Sequence, residues 1–212
     1  MGRLALVVLG LAAATLCACG GDSSSGSSGP FSTAGAGGVG TGGTSGIGSR
    51  PPAQGSLTLA IGLANPATPG YACPISGKSY ALGDPPPTQT SAGIPLIDGQ
   101  GVSVTCSVIG NGSYAFNATL SGQATGGAVQ VAFSAPMVGT KGSSSATASV
   151  YTSDLADTLA SDQASPCSVS VLADQIKPGV LWAGFSCPSL KSAPSTECAA
   201  QGLFVFQDCA SY

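Results

Sequence analysis

The sequence predicts an all-β domain, an antiparallel β-sandwich or barrel of about nine short strands that disulfide bonds hold together. Three observations predict it. Apolar residues alternate with small polar residues over several short runs. Glycine, proline, asparagine and aspartate separate these runs. Six of the eight cysteines lie after residue 55, within the same part of the chain as the runs.

The alternating runs give each predicted strand one apolar face for a core and one polar face for solvent. In chain order, these strands cover residues 57–63, 80–82, 102–108, 114–120, 129–133 and 167–171. Residues 180–187 and 203–206 are more apolar throughout, which is typical of strands covered on both faces. Only residues 153–161 offer a candidate helix.

Turn residues lie between the predicted strands. Asn111-Gly112 joins two alternating runs, so we expect a hairpin with a type I′ turn there. Residues 125–127 (Thr-Gly-Gly) and 177–179 (Lys-Pro-Gly) mark later turns. Short strands at this spacing favour a sandwich or a barrel.

The charge content excludes several classes of function. Charged residues make up 7% of the 212 residues, the net charge is -3, and no histidine is present. A Ser-His-Asp triad, a Cys-His pair and an imidazole metal ligand are therefore excluded. Six basic residues without a cluster argue against nucleic-acid binding. The acidic residues form no catalytic signature, so we expect a protein that is not an enzyme and needs no cofactor.

The N-terminus has the pattern of an export signal. Arg3 precedes a run of apolar and small residues, 4–16, that is too short to span a membrane as a helix. The run ends at Leu16-Cys17-Ala18-Cys19, and this segment resembles the lipobox of a bacterial lipoprotein signal peptide. The resemblance covers residues 1–22. It implies cleavage after residue 18 and acylation of Cys19, which anchors the protein in a membrane.

The residues after Cys19 predict where the anchored protein goes. The resemblance implies that Asp after the lipidated cysteine retains a lipoprotein at the inner membrane, whereas Gly20 and Gly21 occupy these positions here. We therefore expect outer-membrane localisation, with the domain in the periplasm or at the cell surface. Residues 19–54 are rich in Gly and Ser and predict a flexible tether of roughly 30–35 Å root-mean-square span. The folded domain is predicted over 55–212.

The cysteines predict three disulfide bonds, because an even number of them occurs in an exported domain. They are Cys73, Cys106, Cys167, Cys187, Cys198 and Cys209. Six cysteines allow 15 connectivities. The pairs nearest in sequence are Cys73 with Cys106 and Cys187 with Cys198, which would leave Cys167 with Cys209.

Two groups of residues are candidates for ligand binding. Asp154, Asp157 and Asp162 lie close together in a polar stretch, where they form either a solvated loop or a Ca²⁺ site. Trp182, the single tryptophan, lies either in the core or on an open face that stacks against a sugar ring. No other metal site is indicated.

Two functions remain open after these exclusions. One is a membrane-anchored envelope lipoprotein with a structural or interaction role, whose partner is an envelope protein or a glycan. The alternative is a carbohydrate-binding or Ca²⁺-dependent ligand-binding β-sandwich.

Overall fold

The computed structural model describes residues 51–62, 66, 68–83, 101–171, 174–192 and 194–212. They belong to one compact unit, Ile47–Tyr212, and form strands, turns and bends without a helix. In this part of the chain no helix is long and apolar enough to cross a membrane. The predicted signal peptide, Cys19 and the tether up to residue 50 lie outside the described residues.

In the described ranges eleven strands form one sheet, so the predicted all-β class is confirmed with two more strands than expected. In chain order they are β1 Gln54–Ile61, β2 Lys78–Leu82, β3 Val102–Gly110, β4 Ser113–Ala124, β5 Gly127–Gly139, β6 Gly142–Thr152, β7 Leu159–Ala160, β8 Cys167–Val171, β9 Ile176–Lys177, β10 Val180–Ser192 and β11 Thr196–Gln207.

All ladders between the named strands are antiparallel. The order across the sheet is β2-β1-β11-β10-β7-β6-β5-β4-β3. β8 also lies between β6 and β10, at a different height from β7, and β9 pairs with β10. β1 and β11 lie side by side although they are far apart in the sequence, and Leu57 lies opposite Phe204.

The sheet curves until its two ends meet, which gives a barrel-like arrangement. After β11, Ala210 donates from its N–H to the Cys106 carbonyl at 3.0 Å and accepts from the Val108 N–H at 2.8 Å. Both partners are in β3, the last strand in the order. On the other side, the Thr125 N–H after β4 donates to the Ala81 carbonyl of β2 at 3.2 Å.

One apolar cluster fills the inside of the curved sheet. Its centre is a group of phenylalanines from β4, β5, β10 and β11, with neighbouring ring centroids 4.8–6.0 Å apart. They are Phe116, Phe133, Phe185, Phe204 and Phe206. The alternating pattern predicted the inward face of Phe116 and Phe133, because residues two apart in a strand point to the same side, whereas the continuously apolar runs with Phe185, Phe204 and Phe206 left that face open.

The β3–β4 hairpin forms where Asn111-Gly112 predicted it, but the type I′ turn is wrong. Gly110 pairs with Tyr114, so the loop has three residues. Gly112 has a φ of +78°, whereas Asn111 is not among the non-glycine residues with positive φ. A type I′ turn needs positive φ at both central residues, and a three-residue loop with a left-handed glycine needs it only at the glycine.

The candidate helix over residues 153–161 is also wrong. This segment forms turns, bends and the two-residue strand β7. The sequence analysis found no strand at β6, which contains mainly serine, threonine and alanine. Its buried positions are Ala146, Ala148, Val150 and Thr152. Small residues keep the period of two but contribute little apolar contrast, so the strand has a weak pattern.

Three disulfides form from the six predicted cysteines, but the expected pairing is wrong at every bond. Cys73 bonds to Cys198, Cys106 to Cys209 and Cys167 to Cys187. The Cα–Cα distances are 5.0, 4.9 and 4.2 Å. Two of the bonds join the first part of the domain to the last, because β11 lies beside β1 and the residues after it lie against β3.

We predict that removing the long-range disulfide costs more stability than removing the short-range one. Cys106–Cys209 closes 103 residues and Cys167–Cys187 closes 20. The loop-entropy relation gives about 4.7 and about 3.3 kcal/mol for loops of these lengths. Urea unfolding of the two Cys→Ser double variants, followed by tryptophan fluorescence, measures the difference. Equal losses, or a larger loss for the short loop, would contradict the assigned closure.

Candidate functional site

A trough of about 740 Å³ lies on the outer face of the sheet, and a second depression of about 770 Å³ lies along residues 62–76. We call the former the outer trough. It crosses five strands in the order β2, β1, β11, β10 and β8. The outward-facing side chains that line it are Ser79 and Ala81, Thr58 and Ala60, Gln201 and Leu203, Gly184 and Ser186, and Ser168 and Ser170, joined at one end by Thr125.

Two rows of paired residues form the outer trough. In the first row, the polar row, Ser168, Ser186, Gln201, Ala60 and Ser79 lie opposite one another on successive strands. Cross-strand partners have Cβ atoms about 4.5–5.5 Å apart, so their side chains form a continuous line. Ser168, Ser186 and Gln201 therefore lie side by side across the sheet, and Ala60 separates them from Ser79.

The second row, the shallow row, makes the depression. Ser170, Gly184, Leu203, Thr58 and Ala81 pair in the same way on the same five strands. A Cβ at Gly184 would lie 3.5 Å from Leu203 Cδ2 and 3.7 Å from the Gly202 carbonyl oxygen, which are ordinary contacts. Gly184 therefore leaves open space that a larger residue could fill.

Exposed groups in the polar row are available to a ligand. Ser79, Ser186 and Gln201 are exposed, and their side chains make no hydrogen bond within the described part of the chain. In contrast, the Ser170 hydroxyl lies 2.6 Å from the Ser143 hydroxyl of β6. Hydroxyl and amide groups both donate and accept, so they can bind partners of either kind.

The outer trough carries no formal charge. Among the described residues that line it there is no Asp, Glu, Lys or Arg. Its polar groups are neutral, and its apolar surface comes from small residues and Leu203 together with Leu59, Tyr80 and Phe185. The arrangement can hydrogen-bond an uncharged ligand.

Trp182 does not form an open stacking face. Its side chain is 2% exposed, and it packs with Val205, its cross-strand partner. Leu181 and Ala183 point to the main core, so Trp182 is buried on the opposite, outer side of β10. The prediction that residues 180–187 are covered on both faces is confirmed at this position. Trp182 lies two residues before Gly184, beside the outer trough.

The three aspartates do not come together into a Ca²⁺ site, so that candidate is wrong. Asp154 Oδ2 lies 2.5 Å from Lys78 Nζ and accepts a 2.5 Å hydrogen bond from Tyr80 Oη. Asp162 accepts from the Ser165 N–H at 2.6 Å and lies 3.8 Å from Lys191 Nζ. Within the described ranges, no three residues from His, Cys, Asp and Glu are arranged to hold a metal ion.

The contacts of Asp154 shift the ionisation of all three groups. The hydrogen bonds from Lys78 and then Tyr80 lower the pKa of Asp154. The hydrogen bond to Asp154 raises the pKa of Lys78. Burial, followed by the bond to Asp154, raises the pKa of Tyr80. Asp154 is thus a carboxylate whose negative charge is balanced by Lys78, and its contacts connect β2 to the residues after β6.

The sequence analysis missed a second carboxylate, Glu197, which is 1% exposed. Its Oε1 accepts from the Ser189 hydroxyl at 2.6 Å and its Oε2 accepts from the Thr68 N–H at 3.0 Å. Ser189 lies in a β-bulge, where two residues of β10 face one of β11 between Cys187 and Leu190. Glu197 therefore links the bulge to the loop that carries Cys73.

Hydrogen bonding decides the ionisation of Glu197. Burial raises the pKa of Glu197. The bonds from Ser189 and Thr68 and the charge of Lys191 together lower this pKa by more than burial raises it, so the net pKa lies below the ordinary value of 4.5. A buried carboxylate held by donors in this way contributes to folding only while it is ionised.

No protein-family model matches this chain. No curated protein and no solved structure matches it either.

We predict that Glu197→Gln lowers the free energy of unfolding by about 1–3 kcal/mol at neutral pH, because a glutamine amide cannot accept both bonds and one buried donor loses its partner. Since the folded-state pKa is depressed, the stabilisation is complete above pH 4.5 and is lost as the pH falls through the folded pKa. The difference in unfolding free energy between the wild type and Glu197→Gln should disappear in that pH range.

Urea unfolding at a series of pH values measures this gap. Asp157→Asn is the matched control, because Asp157 is exposed and the substitution removes a carboxylate of the same charge. A gap that stays constant down to pH 3, roughly a unit below the ordinary Glu value, would show that the ionised carboxylate is not what stabilises the loop.

Proposed function

We propose that this protein is an exported bacterial lipoprotein of the cell envelope, anchored through Cys19, whose β-domain has a non-enzymatic interaction role. In this proposal, residues 1–18 are the signal peptide and residues 19–54 are the lipidated cysteine and its tether. The domain after them presents its outer face to partners in the periplasm or at the cell surface.

The proposal rests on one observation: the domain that follows the N-terminal export pattern contains three disulfides. All six cysteines after residue 55 are paired, and two of the bonds join segments more than 100 residues apart. Disulfides persist in oxidising compartments such as the periplasm and the cell surface. The cysteines and the lipobox pattern are independent features that favour the same destination.

The outer trough supports an interaction role. It lies on paired strands, so the backbone positions of its lining are fixed by the ladders on both sides. Its functional groups are hydroxyls and an amide, which bind by hydrogen bonds. A rigid, neutral, polar surface of this kind is suited to holding a partner.

A carbohydrate-binding module is the second candidate. The neutral polar lining of the outer trough favours it. The form of this candidate that depends on Ca²⁺ at Asp154, Asp157 and Asp162 is not proposed, because the aspartates are engaged separately or exposed.

We predict that Cys19→Ala abolishes lipidation, because the acylated thiol is lost, whereas Cys17→Ala retains it. The two variants remove neighbouring cysteines from the same segment and so control for each other. Labelled palmitate incorporation in a Gram-negative host is the measurement, with membrane flotation and separation of the two membranes as the second readout. We expect the wild-type label in the outer-membrane fraction.

Palmitate that persists in Cys19→Ala would overturn the lipid anchor. Label in the inner-membrane fraction would overturn the outer-membrane assignment and leave the anchor standing.

A further inference from the structure

We infer that the outer trough binds an uncharged, extended polyhydroxyl chain, which is a neutral glycan. The inference deepens the proposed interaction role by naming the class of ligand, and it rests on that role. Its site is the polar row, which runs along the trough, together with the space above Gly184 in the shallow row.

The absence of charge in the described lining limits the ligand class. An ionic ligand would lose hydration on entering the outer trough and would meet no opposite charge there. A neutral polyhydroxyl chain loses less hydration free energy than an ion does, and hydrogen bonds to the trough offset that loss. Each of its hydroxyl groups can donate and accept, as can Ser79, Ser186 and Gln201.

The direction of the trough distinguishes a glycan from an extended peptide. Peptides commonly bind sheets by adding a strand at an open edge. The outer trough instead crosses the faces of five strands, and the ladders of β1, β10 and β11 already use their backbone groups on both sides. Only β2, at one end of the trough, has a ladder on one side alone, so a strand-adding peptide would bind at that end and leave the rest of the trough empty, whereas a glycan lying along the trough needs only side-chain partners.

The size of the trough suits a short oligosaccharide. From β2 to β8 there are four intervals between strands, which span about 19 Å at a spacing of about 4.8 Å. Leu203 and the small side chains Ala60 and Ala81 offer apolar contact to the C–H groups of sugar rings along this length. Ala60 lies within the polar row, and Leu203 and Ala81 lie in the shallow row beside it, so one chain can make both kinds of contact.

Trp182 provides a reporter of occupancy. It is the only tryptophan in the chain, and it lies on the same face of β10 as Gly184, roughly 7 Å along the strand. A ligand above Gly184 changes the surroundings of the indole without contacting the main core. Its fluorescence can therefore be followed during titration.

The test uses the mature lipoprotein, purified in a detergent without a sugar headgroup. Linear oligosaccharides of glucose, mannose and N-acetylglucosamine are titrated, with oligogalacturonate as the charged probe of matched length. We expect at least one neutral oligosaccharide to bind, with a change in Trp182 fluorescence and a calorimetric signal. Oligogalacturonate should bind more weakly. No binding by any neutral oligosaccharide, or equal binding of the charged one, would overturn the inference.

Gly184→Thr locates the site, since a Cβ there makes only ordinary contacts, the rest of the added side chain takes up space in the outer trough, and threonine favours a strand. We expect it to weaken binding by about tenfold or more. Ala115→Thr is the control, an exposed residue of β4 that does not line the trough. Gln201→Ala, which removes an amide that can hydrogen-bond to the ligand and adds no volume, should also weaken binding.

Unchanged affinity in both Gly184→Thr and Gln201→Ala would overturn the assignment of the site. Unfolding curves of each variant show whether the fold is intact. The palmitate experiment on Cys19→Ala uses no glycan, so the lipoprotein proposal and the glycan inference can fail separately.

Discussion

Ala210 hydrogen-bonds to both Cys106 and Val108, and through these bonds the residues after β11 lie against β3. The disulfide between Cys106 and Cys209 fixes the same contact covalently. Without it, β3 would be an open edge, and the apolar inner face of a long sheet would have nothing to pack against. The contact joins the residues after β11 to β3, the last strand of the order, around one core. The phenylalanine cluster and the outer trough both depend on the curvature that this closure imposes.

In the closed sheet, alternation along each strand determines which side chains lie on the outer face, and this face is poor in charge. Each strand buries one set of alternate residues inside the curved sheet and leaves the other set outside. On β8 and β10 the outer set includes Ser168, Ser170, Gly184 and Ser186. Where Trp182, Val205 and Ser56 pair, the outer face is buried as well. A hydroxyl-rich surface thus follows from strands in which serine and glycine alternate with apolar residues, and the disulfides stabilise the fold that displays it.

Local patterns in the sequence predict the strands, because alternation is a property of neighbouring residues. The runs that contain β1, β3, β4 and β8 were predicted on this basis. β6 was not, since Ala146 and Ala148 provide little apolar contrast with the serines between them. Contacts between distant residues are not encoded in this way. Cys73 bonds to Cys198 only because β1 lies beside β11, and no spacing in the sequence specifies that neighbourhood.

The outer trough likewise depends partly on patterns of neighbouring residues and partly on contacts between residues distant in sequence. Alternation predicts that Ser186 and Gln201 face away from the core, but only the register of β10 against β11 places them opposite each other. Trp182 has the chemistry expected of a sugar-stacking residue, yet its position opposite Val205 removes it from solvent. The glycine two residues later has no side-chain chemistry, and its lack of a Cβ opens the trough. The proposed binding surface therefore rests on the alignment of small residues across strands, an arrangement that carries no sequence motif.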